Sequence, residues 1–277
     1  IKGVLHLSTN MCPAHRKEVL RSVAERLDRN RPVRLVATQC VEAGVDLDFP
    51  LVYRAFAPLE AIAQAAGRCN RHGLRSTEPV VVFEPDDDHD LYPPGYRAGV
   101  DATKSFLAQL ENDGFDLDAT EIVNSPKRLR GYFRFLYGLS GRSSRITPDE
   151  EPLLKAISEG NFPEVATQYR LIDKNAINVL VRYDVKEFDR LVGEVHCDER
   201  RKPAFVGPWI RRAAAHAVSL FRPDPDASLW NHLEPVRFGR WREEDGLNAT
   251  WFIPSDAVKY DSLFGFVEPE FAESWIA

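Results

Sequence analysis

The first 83 residues switch back and forth between two hydrophobic periods, and this alternation limits the fold more than any other feature. Gly3-Val4-Leu5-His6-Leu7 is a short apolar run that ends in a polar turn, Ser8-Thr9-Asn10. From Pro13 to Leu27 the spacing puts Val19, Leu20, Val23 and Leu27 on one face of a helix. Pro32 breaks that pattern before a second strand, Val33 to Thr38. A Gly-containing loop, a strand from Leu51 to Ala55, a helix from Pro58 to about Arg68 and a strand from Pro79 to Phe83 follow. Strands that alternate with helices predict an α/β unit: a parallel sheet with helices on both faces. Ligands of such sheets lie beyond the carboxyl ends of the strands. The loop after Ala37 falls there, and the turn from Arg68 to Gly73 reaches the same cleft from the end of its helix.

Beyond this lobe the pattern changes. Asp86-Asp87-Asp88-His89-Asp90 and Pro93-Pro94-Gly95 mark a boundary. The acidic run reads as a solvated loop and not as a metal site, because like charges in a row repel and prefer water. Residues 96–139 are helical in pattern, with one amphipathic helix from Ala102 to Leu110 and another from Pro126 to Tyr137. The second interleaves Lys127, Arg128, Arg130 and Arg134 with Tyr132, Phe133, Phe135 and Tyr137. That mixture suits a single nucleic-acid strand, with phosphates on the cations and bases on the rings. It equally suits a helix with a buried aromatic face and a solvated basic one, and the sequence leaves both open. Gly141 to Glu151 is a polar linker. The remainder mixes elements: strands at Asn178–Tyr183 and Trp251–Pro254, a helix from Trp209 to Phe221, and an undecided stretch from Glu164 to Leu171. The expected organisation is a parallel lobe over residues 1–92, a helical linker over 93–150 and an α+β accessory domain over 151–277.

Composition excludes several classes. With 277 residues, 44% hydrophobic and 28% charged, the chain has material for about two domains, and no apolar run approaches the ~20 residues of a membrane span. No signal peptide is visible, and the expected compartment is cytoplasmic. Cys12, Cys40, Cys69 and Cys197 are far apart with no C-x-x-C pair, so neither a zinc site nor a disulfide framework is expected. The net charge of −6 gives no global support for nucleic-acid binding, which then depends on local basic surface. The single Met is Met11 and the chain opens on Ile1, so a piece of a longer protein is expected.

The chemistry concentrates in Gln64-Ala65-Ala66-Gly67-Arg68-Cys69-Asn70-Arg71-His72-Gly73. Arg68 and Arg71 lie three apart, a spacing that on a helical turn aims two guanidinium groups the same way, as a fork for a polyanion such as the γ-phosphate of ATP. Gly67 and Gly73 permit close backbone approach and a sharp exit. A basic helix end that satisfies its own carbonyls is the competing explanation. Upstream, Val36-Ala37-Thr38-Gln39-Cys40-Val41-Glu42-Ala43-Gly44-Val45-Asp46-Leu47-Asp48 ends a strand in a small, polar loop. Thr38 suits a nucleic-acid phosphate, and Asp46 suits an arginine or a nucleotide hydroxyl.

These two segments resemble motifs V and VI of superfamily-2 helicases, motif VI having the form Q-x-x-G-R-x-x-R-x-G, which Gln64, Gly67, Arg68, Arg71 and Gly73 match at every fixed position. His6-Leu7-Ser8-Thr9-Asn10-Met11-Cys12-Pro13-Ala14-His15-Arg16 is similar to the motif IV region. The wording of all three is close to the CRISPR-associated helicase-nucleases of type I interference, with looser likeness at Gln168–Asp173 and Val179–Tyr183. The resemblance implies a second RecA-like helicase lobe followed by a helical linker and a C-terminal domain. It implies ATP with Mg2+ in a site completed by a first helicase lobe, and nuclease metal ions only in a separate His-Asp domain. Implied partners are single-stranded DNA, a crRNA-guided surveillance complex, and the first lobe and nuclease domain of the same parent. It gives Arg68 and Arg71 to the ATP phosphates, Gln64 and Gly67 to the nucleotide's surroundings, Gly44 and Asp46 to the cleft, and Ser8, Thr9 and Thr38 to the DNA backbone. The chain has no G-x-x-x-x-G-K-[ST] loop, since Gly138 to Ser144 is not one, and no Asp-Glu-x-His box. It is therefore expected to be inactive alone. Two other readings stay open: a different superfamily-2 DNA translocase of restriction or repair, and a non-catalytic docking module for the surveillance complex or a phage inhibitor.

Overall fold

The computed structural model describes residues 3–42, 44–73, 78–86, 94–115, 119–139, 151–168, 176–196, 203–237 and 249–269. The acidic run after Asp86, the linker from Gly141 to Glu150 and the segment from Tyr169 to Asp173 lie outside them. In chain order the elements are β1 (Val4–Leu7), α1 (Pro13–Asp28), β2 (Arg34–Ala37), β3 (Val52–Ala55), α2 (Leu59–Ala66), β4 (Val80–Phe83) and α3 (Pro94–Asn112). Then come α4 (Ala119–Asn124), α5 (Pro126–Leu139), α6 (Glu151–Ser158), α7 (Phe162–Gln168), β5 (Ala176–Leu180), α8 (Val185–His196) and α9 (Pro203–Ala213). The chain closes with β6 (Ala217–Phe221), β7 (Leu233–Pro235), β8 (Trp251–Pro254), β9 (Lys259–Asp261) and β10 (Gly265–Val267). The α/β class expected from the alternating periods is what the chain adopts. Two compact units result: residues 1–40 with 171–277, and residues 41–170.

In the first unit, β1 pairs in parallel with β2, Val4 opposite Arg34 and Leu7 opposite Ala37. The crossover is α1, which carries Pro at its start and buries His15, Val19 and Val23. A second, mixed sheet runs β6-β5-β8-β7. Its core gathers Cys12, Ile177, Val179, Val218 and Phe252 on one side and Leu180, Leu191, Trp209 and Trp251 on the other. Trp209 is fully buried, donates its indole N–H to Leu191 O at 3.0 Å and meets Trp251 edge-on.

The helix expected from Trp209 to Phe221 stops at Ala213, and Ala217 to Phe221 is strand β6. Pairing decides this: all five residues sit antiparallel to β5, and no local period competes with five ladder partners. The undecided stretch from Glu164 is helical through Gln168.

In the second unit, β3 pairs in parallel with β4, Val52 opposite Val80, across the crossover helix α2. The parallel pairing expected of the first 83 residues is therefore present as two two-stranded ladders, each closed by its own helix. Helix α2 buries Leu59, Ala61, Ile62 and Ala65. Its first residue is fixed by Thr103, whose hydroxyl accepts the Leu59 N–H at 3.0 Å and donates to Gly99 O at 2.8 Å. Leu59, Phe106, Leu110, Ile122 and Tyr132 form the core between α2, α3, α4 and α5. Helix α5 starts on a capping Ser125, whose Oγ accepts the Arg128 N–H at 3.4 Å. Among the described residues no helix is long and apolar enough to cross a membrane, and no group of three or more His, Cys, Asp or Glu is placed to hold a metal ion.

Candidate functional site

Helix α2 ends at Ala66, so the arginines of the motif lie in the turn beyond it and not on the helix. Gly67 caps the helix at φ −64° and ψ 2°, outside the left-handed region, and its N–H reaches Ala63 O. The turn is completed by Asn70 (φ 48°), a residue type that tolerates the left-handed region, and by Gly73 (φ 62°). Phe49 and Cys69 form a parallel bridge, with the Phe49 N–H on Arg68 O at 2.9 Å and the Asn70 N–H on Phe49 O at 3.2 Å. That bridge ties the turn after α2 to the loop before β3.

The two arginines then take different partners within the same loop. Arg68 turns inward: its Nε donates to Val41 O at 3.0 Å and its Nη2 to Glu42 O. Burial first, then the neighbouring Arg71, pull the Arg68 guanidinium below its ordinary value, and Asp46 pulls the other way. Arg71 stays on the surface. Its Nε donates to Asp46 Oδ1 at 2.7 Å, its backbone N–H to Asp48 Oδ1 at 2.8 Å, and its Nη1 reaches Gly67 O at 3.4 Å. Arg71 is 37% exposed and Asp46 71%, so this ion pair is a solvent-screened one of about 0–1 kcal/mol. The guanidinium groups thus form no parallel fork: one is a structural tie and the other an exposed cation leaning on a carboxylate. Gly44 bends the loop at φ 73°, and Gln64 is exposed on the last turn of α2.

A half-buried pair carries no signal in the motif pattern. Arg54, in the middle of β3, donates to Glu42 at 2.9 Å and to the Tyr96 hydroxyl at 2.5 Å. Burial raises the Glu42 carboxyl, and Arg54 opposes that rise. A charge set in an otherwise apolar strand is the one hint the sequence offers. Asp48 is likewise outside the motif's fixed positions, although it holds the Arg71 backbone.

In the other unit, Thr38 follows β2 with its N–H on Leu7 O at 3.0 Å and its side chain exposed. Thr9 is exposed in the turn after β1, whereas Ser8 is only 5% exposed. The Ser8 carbonyl closes that turn on the Met11 N–H at 3.2 Å.

The post-helix arginines are thus tied to one acidic loop, the one that carries Glu42, Asp46 and Asp48. Residues 2–74 match the family described as CRISPR-associated nuclease/helicase Cas3, C-terminal. The CRISPR-associated nuclease/helicase Cas3 of Haloferax volcanii is 29% identical over 278 residues, covering 90% of this chain and 28% of that protein. The CRISPR-associated endonuclease/helicase Cas3 of Thermus thermophilus is 32% identical over 141 residues, covering 48% of this chain and 12% of that protein. A crystal structure of T. fusca Cas3 with ATP has the same fold over 96% of this chain and 35% of that one, at 17% identity and a TM-score of 0.52. The chain is thus related to the C-terminal part of the Cas3 nuclease/helicases. It spans about 28% of the length of the Haloferax volcanii relative.

Proposed function

We infer that this chain supplies the arginine-bearing half of an ATP site, and part of a DNA path, in an ATP-driven single-stranded DNA translocase with nuclease activity in CRISPR interference. The observation that carries this is the exposed Arg71–Asp46 pair at the end of α2. An anion presented by a first helicase lobe can take the guanidinium in place of Asp46, because exchanging a solvent-screened pair carries little penalty. A buried pair would resist that exchange. ATP therefore fits the residues present, with Arg71 as the cation for the phosphates and Gln64 and Gly67 beside the nucleotide. An arginine so placed stabilises charge that builds on a transferring phosphoryl group. Arg68 holds the Val41 and Glu42 carbonyls, so its part is to keep the loop with Gly44 and Asp46 in shape around Arg71. Mg2+ ligands and the phosphate-binding loop belong to the first lobe, and nuclease metals to a further domain. Thr9, Thr38 and the Ser8 turn are assigned to the DNA backbone.

One solved structure similar to this chain, with a TM-score of 0.50 and 15% identity, is described as a CRISPR RNA-guided surveillance complex, pre-nicking. A surveillance complex is accordingly the proposed protein partner. The test is hydrolysis by the isolated 277-residue chain. No DNA-stimulated ATPase activity is expected from it alone, and the natural protein that carries it is expected to be active. DNA-stimulated turnover by the chain alone contradicts the division of the site between two lobes.

A further inference from the structure

Helix α5 is charged against the trend of the chain. It carries Lys127, Arg128, Arg130 and Arg134 and no acid, in a protein of net charge −6. Tyr132, fully buried, packs its inner face together with partly buried Phe133 and Phe135. Lys127, Arg130 and Arg134 are all exposed. Spaced three and four residues apart, they share one outer face over about 10 Å of helix. Among the described residues none of these cations is in an ion pair.

A groove of about 580 Å³ opens beside this helix, its lining including Phe106, Phe115, Asn124, Lys127, Arg128 and Gly131. That volume lies within the usual range for small-ligand sites. Phe115 is 46% exposed, and the Arg128 guanidinium lies over its ring at 4.1 Å. Gly131 needs no glycine for its backbone, since its φ is not positive. An added Cβ would meet Phe106 at an ordinary 3.6 Å. Alanine there would favour the helix. What glycine does instead is leave the groove open.

We propose that α5 and this groove bind a short stretch of single-stranded nucleic acid, with Lys127, Arg130 and Arg134 on the phosphates and one base lodged against Phe115. Charge complementarity selects a polyanion, and the exposed ring beside an amide and cations selects one with bases over an acidic polypeptide. The proposal deepens the DNA-path half of the function above and rests on it only for the identity of the polymer.

Anisotropy of labelled dT15 with the full chain tests it. Arg130→Gln/Arg134→Gln is expected to weaken binding at least tenfold at about 50 mM salt. It should also flatten the plot of log affinity against log salt by about 1.4, at about 0.7 per phosphate contact. Phe115→Ala, on an exposed ring that does not endanger folding, is expected to weaken binding about tenfold with the salt slope unchanged. Gly131→Leu, which fills the groove, should behave likewise. Wild-type affinity in both the double variant and Phe115→Ala overturns the proposal. So does a wild-type chain that does not bind dT15, or polyglutamate that competes as well as unlabelled dT15. None of these results bears on Arg71, whose loss is read in ATP hydrolysis, so the two ideas fail separately.

Discussion

Tyr183 stacks on His15 with ring centroids 4.5 Å apart and donates its hydroxyl proton to Glu18. Burial first, and then that hydrogen bond, push its phenol from 10.0 up to about 12. The sign follows from linkage. Below pH 10 the phenol is protonated in both states and its environment leaves stability unchanged. Between pH 10 and 12 only the unfolded chain gives up the proton, so stability falls until the folded group titrates too. Tyr183→Phe is therefore expected to lose less stability than wild type between those pH values, read as urea midpoints at matched pH; identical losses would contradict this. Arg68 is the second single residue with a defined load, since hydrogen bonds from a charged donor are worth about 1.5–3 kcal/mol each at most. Arg68→Ala leaves the Val41 and Glu42 carbonyls without their donor and is expected to lower unfolding stability by about 1–3 kcal/mol. Arg68→Lys should restore only part of it, because an ammonium cannot span both acceptors as a planar fork does.

Among the elements, the β9–β10 hairpin shows how tightly the first unit is closed. Gly265 sits at φ 88°, a Cβ there would lie 2.3 Å from Asn10 O, and the next N–H, of Phe266, donates to that same oxygen at 2.7 Å. Gly265→Ala is expected to cost about 1–3 kcal/mol by thermal unfolding. Gly193→Ala, inside α8 with nothing within 4 Å of the added carbon, should be neutral or stabilising by up to about 1 kcal/mol. The reverse order would sink this account of the turn that holds Ser8 and Thr9. The hairpin's grip on Asn10 was not legible in the sequence, because it joins residues some 250 apart and no local pattern encodes a partner at that distance. Helix α2 and its turn were legible, since a helical period, a Gly and an Asn at left-handed positions are local signals. The inward turn of Arg68 was not, because spacing gives the direction of a side chain but not the carbonyls waiting for it. Strand β6 was misread for the same reason: its identity comes from β5.

For the whole molecule, the division into residues 1–40 with 171–277, and 41–170, means that segments far apart in sequence share a core, as Cys12 does with Ile177, Val179 and Phe252. The likeness to the Cas3 nuclease/helicases was legible because the segments that carry it are short, contiguous and rich in residues with one chemical purpose. The central claim is that Arg71 completes an ATP site made mostly elsewhere. It is tested most directly by DNA-stimulated ATP hydrolysis in the natural protein that carries this chain, with Arg71→Ala beside wild type. Turnover is expected to fall by about 10³-fold or more, with single-strand binding and melting temperature unchanged. Hydrolysis by Arg71→Ala at the wild-type rate would contradict the account.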